Sequence, residues 1–155
     1  MNQHSRVYKW TGSDKSLPPI MLCAHIDVVP APGKWVQPPF AGKIVDGVIW
    51  GRGAIDNKHN VVGELAAVEE LLKKGFEPRR TVYLALGHDE EIGGNQGAKF
   101  IADHMQKVEK IGKNGMVAIF DEGPMMVEGA LPGVKGPVAL VANSEKVRRA
   151  GQREK

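Results

Sequence analysis

The 155-residue chain is 42% hydrophobic and 25% charged, as an ordinary globular domain is, and no apolar run approaches the roughly 18–20 residues a membrane-crossing helix needs. Its formal charge of +3 is local, because Lys146, Arg148, Arg149, Arg153 and Lys155 near the C-terminus face only Glu145 and Glu154, and the rest is neutral. Nucleic-acid binding is not supported, since no basic face with interleaved aromatics appears, and the single cysteine, Cys23, excludes an internal disulfide.

Arg6–Trp10 reads as a short strand, followed by a turn at Gly12–Asp14. The compact apolar run Pro19–Ala24 predicts a central strand that ends on polar chemistry, His25-Ile26-Asp27. Val28–Phe40 contains Pro30, Pro32, Pro38 and Pro39 and predicts a rigid irregular loop. Lys43–Trp50 predicts a hairpin turned by Asp46-Gly47, and a glycine-punctuated loop, Gly51–Lys58, follows it. The spacing of Val61, Leu65, Val68 and Leu72 predicts a helix over Asn60–Lys74, stopped by Gly75.

Thr81–Leu86 predicts a buried strand that runs through Gly87 into His88, Asp89, Glu90 and Glu91. A second helix is predicted over Gln96–Val108, with Ala98, Ile101, Met105 and Val108 on its apolar side. Met116–Phe120 predicts a strand ending on Asp121-Glu122-Gly123, and Pro137–Ala142 a last strand. This alternation of strands and helices predicts an α/β layered domain. Three apolar strands end in a candidate ligand (His25, Glu90/Glu91 and Asp121), and Asp56 lies between a hairpin and a helix. If those strands are parallel in one sheet, the groups converge on one edge, where α/β proteins place their sites.

Unpaired carboxylates at the end of a buried strand are costly, and a metal ion is an economical way to cancel their charge. A solvated acidic turn is the plainer alternative. One imidazole with three or four carboxylates suits a dinuclear zinc site. Asp27, two residues beyond His25, could accept the second imidazole N–H and fix the tautomer that binds metal, or the two could form a structural pair. Glu90 and Glu91 are adjacent, so in extended backbone one can bind metal while the other carries protons.

Leu22–Pro30 (Leu-Cys-Ala-His-Ile-Asp-Val-Val-Pro), Gly51–Lys58 (Gly-Arg-Gly-Ala-Ile-Asp-Asn-Lys) and Gly87–Gly94 (Gly-His-Asp-Glu-Glu-Ile-Gly-Gly) resemble the co-catalytic dizinc peptidase family of aminoacylase, carboxypeptidase S and glutamate carboxypeptidase. The Gly-His-Asp-Glu-Glu run and Pro38-Pro39-Phe40 are most similar to the carboxypeptidase S-like branch, which includes the N-fatty-acyl-amino acid synthase/hydrolase. The resemblance implies a layered α/β/α catalytic domain of a zinc exopeptidase, incomplete here, over residues 1–146; Val147–Lys155 departs from the family, and its basic, Gly/Gln-containing composition predicts a disordered tail.

It further implies that Asp56 bridges two zinc ions, that His25 and Asp121 complete one ion's ligands, and that Glu91 binds the other. Glu90 is then the general base acting on a zinc-activated water, and Asp27 orients His25. The implied reaction is hydrolysis of an amide, in an N-acyl amino acid or at a peptide C-terminus, so the implied partner is a small-molecule or peptide substrate.

Relatives of this kind carry an inserted lid or dimerisation domain and later catalytic segments. These supply a late histidine to the Glu91 site and a lid histidine to the oxyanion. None of His4, His59, His88 or His104 stands in those positions, so about one of the two ions is expected to bind well and the chain alone to be weakly active or inactive. The competing reading is a non-catalytic metal-binding or interaction module. A dinuclear phosphoesterase is a third reading, without support from the Gly-His-Asp-Glu-Glu run.

Overall fold

A computed structural model describes residues 4–112, 115–122, 126–129 and 131–139 of the chain. The expected run of β-branched, aromatic and aliphatic residues after Thr81 forms the strand Val82–Gly87, which lies inside a four-stranded sheet. In chain order the elements are β1 (Arg6–Trp10), β2 (Ile20–His25), β3 (Lys43–Val45), β4 (Val48–Trp50), α1 (Lys58–Lys73), β5 (Val82–Gly87), a 3₁₀ turn (Glu90–Ile92), α2 (Ala98–Lys107), β6 (Ala118–Phe120), β7 (Met126–Glu128) and β8 (Pro137–Ala139). The residues form two units, Met1–Glu122 and Gly123–Lys155. The second contains the antiparallel pair β7–β8. The end of the expected strand Pro137–Ala142 and the Val147–Lys155 tail lie outside the described residues.

The main sheet has the order β1-β5-β2-β6. β2 is parallel to both β5 and β6, with Met21 beside Tyr83 and beside Ile119, so the three candidate strand ends do point the same way. β1 runs antiparallel against β5, pairing Tyr8 with Leu84. From β2 the chain crosses to β5 on one side, then from β5 past β2 to β6 on the other. Right-handed crossovers in opposite directions place α1 and α2 on opposite faces of the sheet, which is the layered α/β/α arrangement expected.

Side chains alternate across the sheet. Met21, Tyr83 and Ala85 share one face with Ile101 and Met105 of α2, and Val7, Cys23, Ile111 and Met116 pack around them. Leu84 and Leu86 are also buried but stand one residue out of phase, so they face the opposite side, and α1 packs on β2. Asp46 and Gly47 turn the β3–β4 hairpin with φ of 51° and 77°, the pair of positive values that a tight two-residue hairpin requires.

The two helices differ from their sequence patterns in one respect. On α2, Ile101 and Met105 are buried, but Ala98 and Val108 are exposed. On α1 none of the expected apolar face is fully buried, and Leu65 and Leu72 remain 40% and 55% exposed. A 3.6-residue period reports which side is apolar, but what covers that side is decided by the neighbouring layer.

Candidate metal centre

β2 delivers His25 to the carboxyl edge of the sheet, where its side chain is only 3% exposed. Its Nδ1 lies 3.1 Å from the Asp27 carbonyl oxygen and 3.3 Å from Asp27 Oδ1. An Nδ1–H donated to Asp27 leaves Nε2 as the free donor atom, the tautomer a metal ligand needs. Asp27 also reaches beyond His25, since its two carboxylate oxygens accept the backbone N–H groups of Glu90 at 3.2 Å and Glu91 at 3.0 Å. It therefore ties the end of β2 to the turn after β5.

Three carboxylates converge on His25 Nε2. Asp56 Oδ1 is 2.9 Å away, Glu122 Oε2 is 3.3 Å and Glu90 Oε2 is 3.8 Å. Burial pulls the His25 pKa down, but Glu122, Asp56 and Asp27 outweigh it and hold the imidazole above its ordinary value. Burial pushes Glu90 up from the usual carboxylate range, and Glu122 pushes it further against the opposing pull of His25. The His25 shift, and the part of the Glu90 shift due to Glu122, express an excess of negative charge around one nitrogen. A cation relieves that excess, and the donor atoms of His25, Asp56 and Glu122 all lie within 4.8 Å of one another. Three N/O donors with an exposed rim match a metal site that keeps a position open, so the residues present fit a metal ion.

Of the residues expected from the sequence, His25, Asp56, Glu90 and Asp27 are brought together. Glu91 stands slightly apart, its Oε1 accepting the Val29 N–H at 3.2 Å. Asp121 does not join the His25 group: its Oδ1 accepts the backbone N–H of Glu122 at 2.9 Å, and its charge adds to burial in raising the pKa of Glu64 on α1. Glu122 takes part instead. The Asp-Glu-Gly sequence after β6 was visible, but it does not reveal which of two adjacent carboxylates turns inward once the strand has ended.

Asn57 and Asp89 were also not singled out. Asn57 is 1% exposed and donates from Nδ2 to Glu122 Oε2 at 2.9 Å; the Asp56–Asn57 peptide bond is cis. Asp89 is buried, its Oδ2 accepting the Gln96 N–H at 2.7 Å and its carbonyl the Gly94 N–H at 2.8 Å. It folds the turn carrying Glu90 against the start of α2, where a β-carbon on Gly97 would collide with Asp89 Oδ1. His88 faces elsewhere, its Nδ1 2.7 Å from Ser5 Oγ and its ring beside His4.

Comparison with known proteins bears out the resemblance. The N-fatty-acyl-amino acid synthase/hydrolase of Xenopus tropicalis is 49% identical over 146 residues, 92% of this chain and 27% of that protein. The probable carboxypeptidase S-like 2 of Dictyostelium discoideum is 48% identical over 146 residues, 92% of this chain and 28% of that protein. The chain thus spans about a quarter of the length of the curated relatives it matches. The crystal structure of human carnosine dipeptidase 1 shares the fold, with a TM-score of 0.63 at 22% identity over 80% of this chain and 27% of that one. Residues 21–149 match the model of peptidase family M20/M25/M40, a family of metal-dependent peptidases and amidohydrolases, and the chain belongs to it.

Proposed function

We propose that this chain carries a metal-binding edge of a zinc-dependent amide hydrolase acting on N-acyl amino acids or on the C-terminal residue of peptides. The observation that carries the reading is the convergence of Asp56, Glu122 and Glu90 on the Nε2 of buried His25. His25, Asp56 and Glu122 would hold the ion, with Glu122 in the place the resemblance gave to Asp121. Asp56 would be shared with a second ion, and Glu91 would be that ion's ligand from this chain. A bound zinc ion supplies Lewis acidity, which polarises an amide carbonyl and acidifies water.

The chain's own residues supply the proton handling. Glu90 is half-exposed, and burial and Glu122 raise its pKa toward the working range of a general base. It takes a proton from water and returns it to the leaving amine. Asp27 holds Glu90 in register through the backbone N–H and orients His25 from the other side. The substrate class follows the names of the two relatives, an N-fatty-acyl-amino acid hydrolase and a carboxypeptidase S-like protein.

The experiment is zinc content and hydrolysis measured together on the 155-residue chain and on Glu90→Gln. Glu90→Gln should keep the zinc of the parent chain and lower hydrolysis of an N-acyl amino acid by about 10²-fold or more. A variant that hydrolyses as fast as the parent would remove Glu90 from the chemistry. A zinc-loaded parent inactive on both N-acyl amino acids and peptides would leave this chain the non-catalytic metal-binding module of the competing reading.

A further inference from the structure

Asn57 occupies the N-cap of α1, where asparagine is favoured because its side chain caps a free N–H of the first turn. Here the side chain makes no such hydrogen bond. Only the backbone carbonyl serves the helix, accepting the N–H groups of Asn60 at 3.1 Å and Val61 at 3.4 Å. The amide is 1% exposed, and its Nδ2 donates at 2.9 Å to Glu122 Oε2, the same oxygen that lies 3.3 Å from His25 Nε2. Its Oδ1 is buried without a hydrogen-bond partner among the described residues. The flipped amide would set its oxygen against a carboxylate, so the chemistry of Glu122 dictates the orientation even though Oδ1 goes unpaired.

We propose that Asn57 is a positioning residue that selects Glu122, in preference to the adjacent Asp121, as the third donor of the His25–Asp56 centre. This rests on the metal-binding reading above. Three features support it. Glu122 Oε2 is held by the Asn57 N–H within 3.3 Å of His25 Nε2, whereas Asp121 Oδ1 accepts its neighbour's N–H. Asparagine combines a short, cap-compatible side chain with an N–H donor. Aspartate at the same position would cap a helix equally well but would repel Glu122.

The test is a double-mutant cycle on the 155-residue chain, read as zinc affinity by competition with a chromophoric chelator, with Asp121→Asn in parallel. Asn57→Ala should weaken zinc binding about 10–100-fold, as loss of a partner that orients a ligand does. In a Glu122→Gln background that further loss should vanish, because the effect passes through Glu122. Asp121→Asn should bind zinc within a few-fold of the parent. Equal Asn57→Ala losses in both backgrounds would reduce Asn57 to a structural residue and overturn the proposal. If Asn57→Ala does not fold, the single variants decide: an Asp121→Asn loss matching that of Glu122→Gln overturns the selection, and a loss confined to Glu122→Gln sustains it. A parent chain that binds no zinc overturns both this inference and the function proposed above, while zinc binding with an additive cycle overturns only the role of Asn57.

Discussion

Lys9, Tyr83 and Glu109 join three separate pieces of the molecule outside the candidate metal centre. Glu109, just past α2, accepts hydrogen bonds from Lys9 on β1 and from Tyr83 on β5, the latter at 2.7 Å. Lys9, then Tyr83, holds the Glu109 carboxyl below its usual range. A carboxylate depressed on folding adds stability above its unfolded pKa, near 4.3, and loses it as pH falls through the lower folded value. Glu109→Gln should therefore destabilise the protein at pH 7 by about 1 kcal/mol, and the gap should shrink as pH falls below about 4. Urea unfolding of parent and variant at both pH values measures this, and a gap unchanged at about pH 3, below the unfolded pKa, would show that the interaction is not one of charge. Nothing in the local sequence brings Lys9 to Glu109, since they meet only because β1 lies beside β5.

The two long helices had similar amphipathic patterns, yet the structure gives them different weight. Ile101 on α2 is 6% exposed and belongs to the core cluster with Tyr83 and Met105. Leu65 on α1 is 40% exposed. Truncating a buried isoleucine costs about 2–5 kcal/mol, whereas a largely exposed leucine costs under about 1 kcal/mol. Ile101→Ala should thus lower stability several-fold more than Leu65→Ala in chemical denaturation. Equal losses would mean that α1 buries Leu65 in solution. Element positions were legible from the sequence, because periodicity, prolines and the Asp46-Gly47 turn are local signals. The direction of β1, the β7–β8 pairing and the covering of each helix face were not, since each depends on a partner distant in the chain.

For the whole molecule, the candidate metal centre links the ends of β2 and β5, the start of α1 and the segment after β6. An ion held by His25, Asp56 and Glu122 would bind only the folded chain, so it would raise stability by mass action. Zinc at about a hundredfold its dissociation constant should add about 2.7 kcal/mol, seen as a rise in melting temperature that a chelator reverses. Glu122→Gln should reduce the rise, and Asp121→Asn should keep it. A melting temperature indifferent to zinc would argue against a centre assembled in the folded state. Among the described residues, no helix is long and apolar enough to cross a membrane.

By itself the sequence determined the α/β class, the strands that end in ligands, and the family, because these follow from local composition and from three ordered motifs. It also marked His25, Asp27, Asp56 and Glu90 as candidates that converge if their strands are parallel, and the structure brings these four together. Only the tertiary structure decided that Glu122 turns toward His25 while Asp121 accepts the Glu122 N–H, and that Asn57 serves Glu122 instead of capping α1. Adjacent carboxylates past the end of a strand have no periodicity to separate them. Their choice is made by the groups that other elements, β2 and α1, bring to the same point.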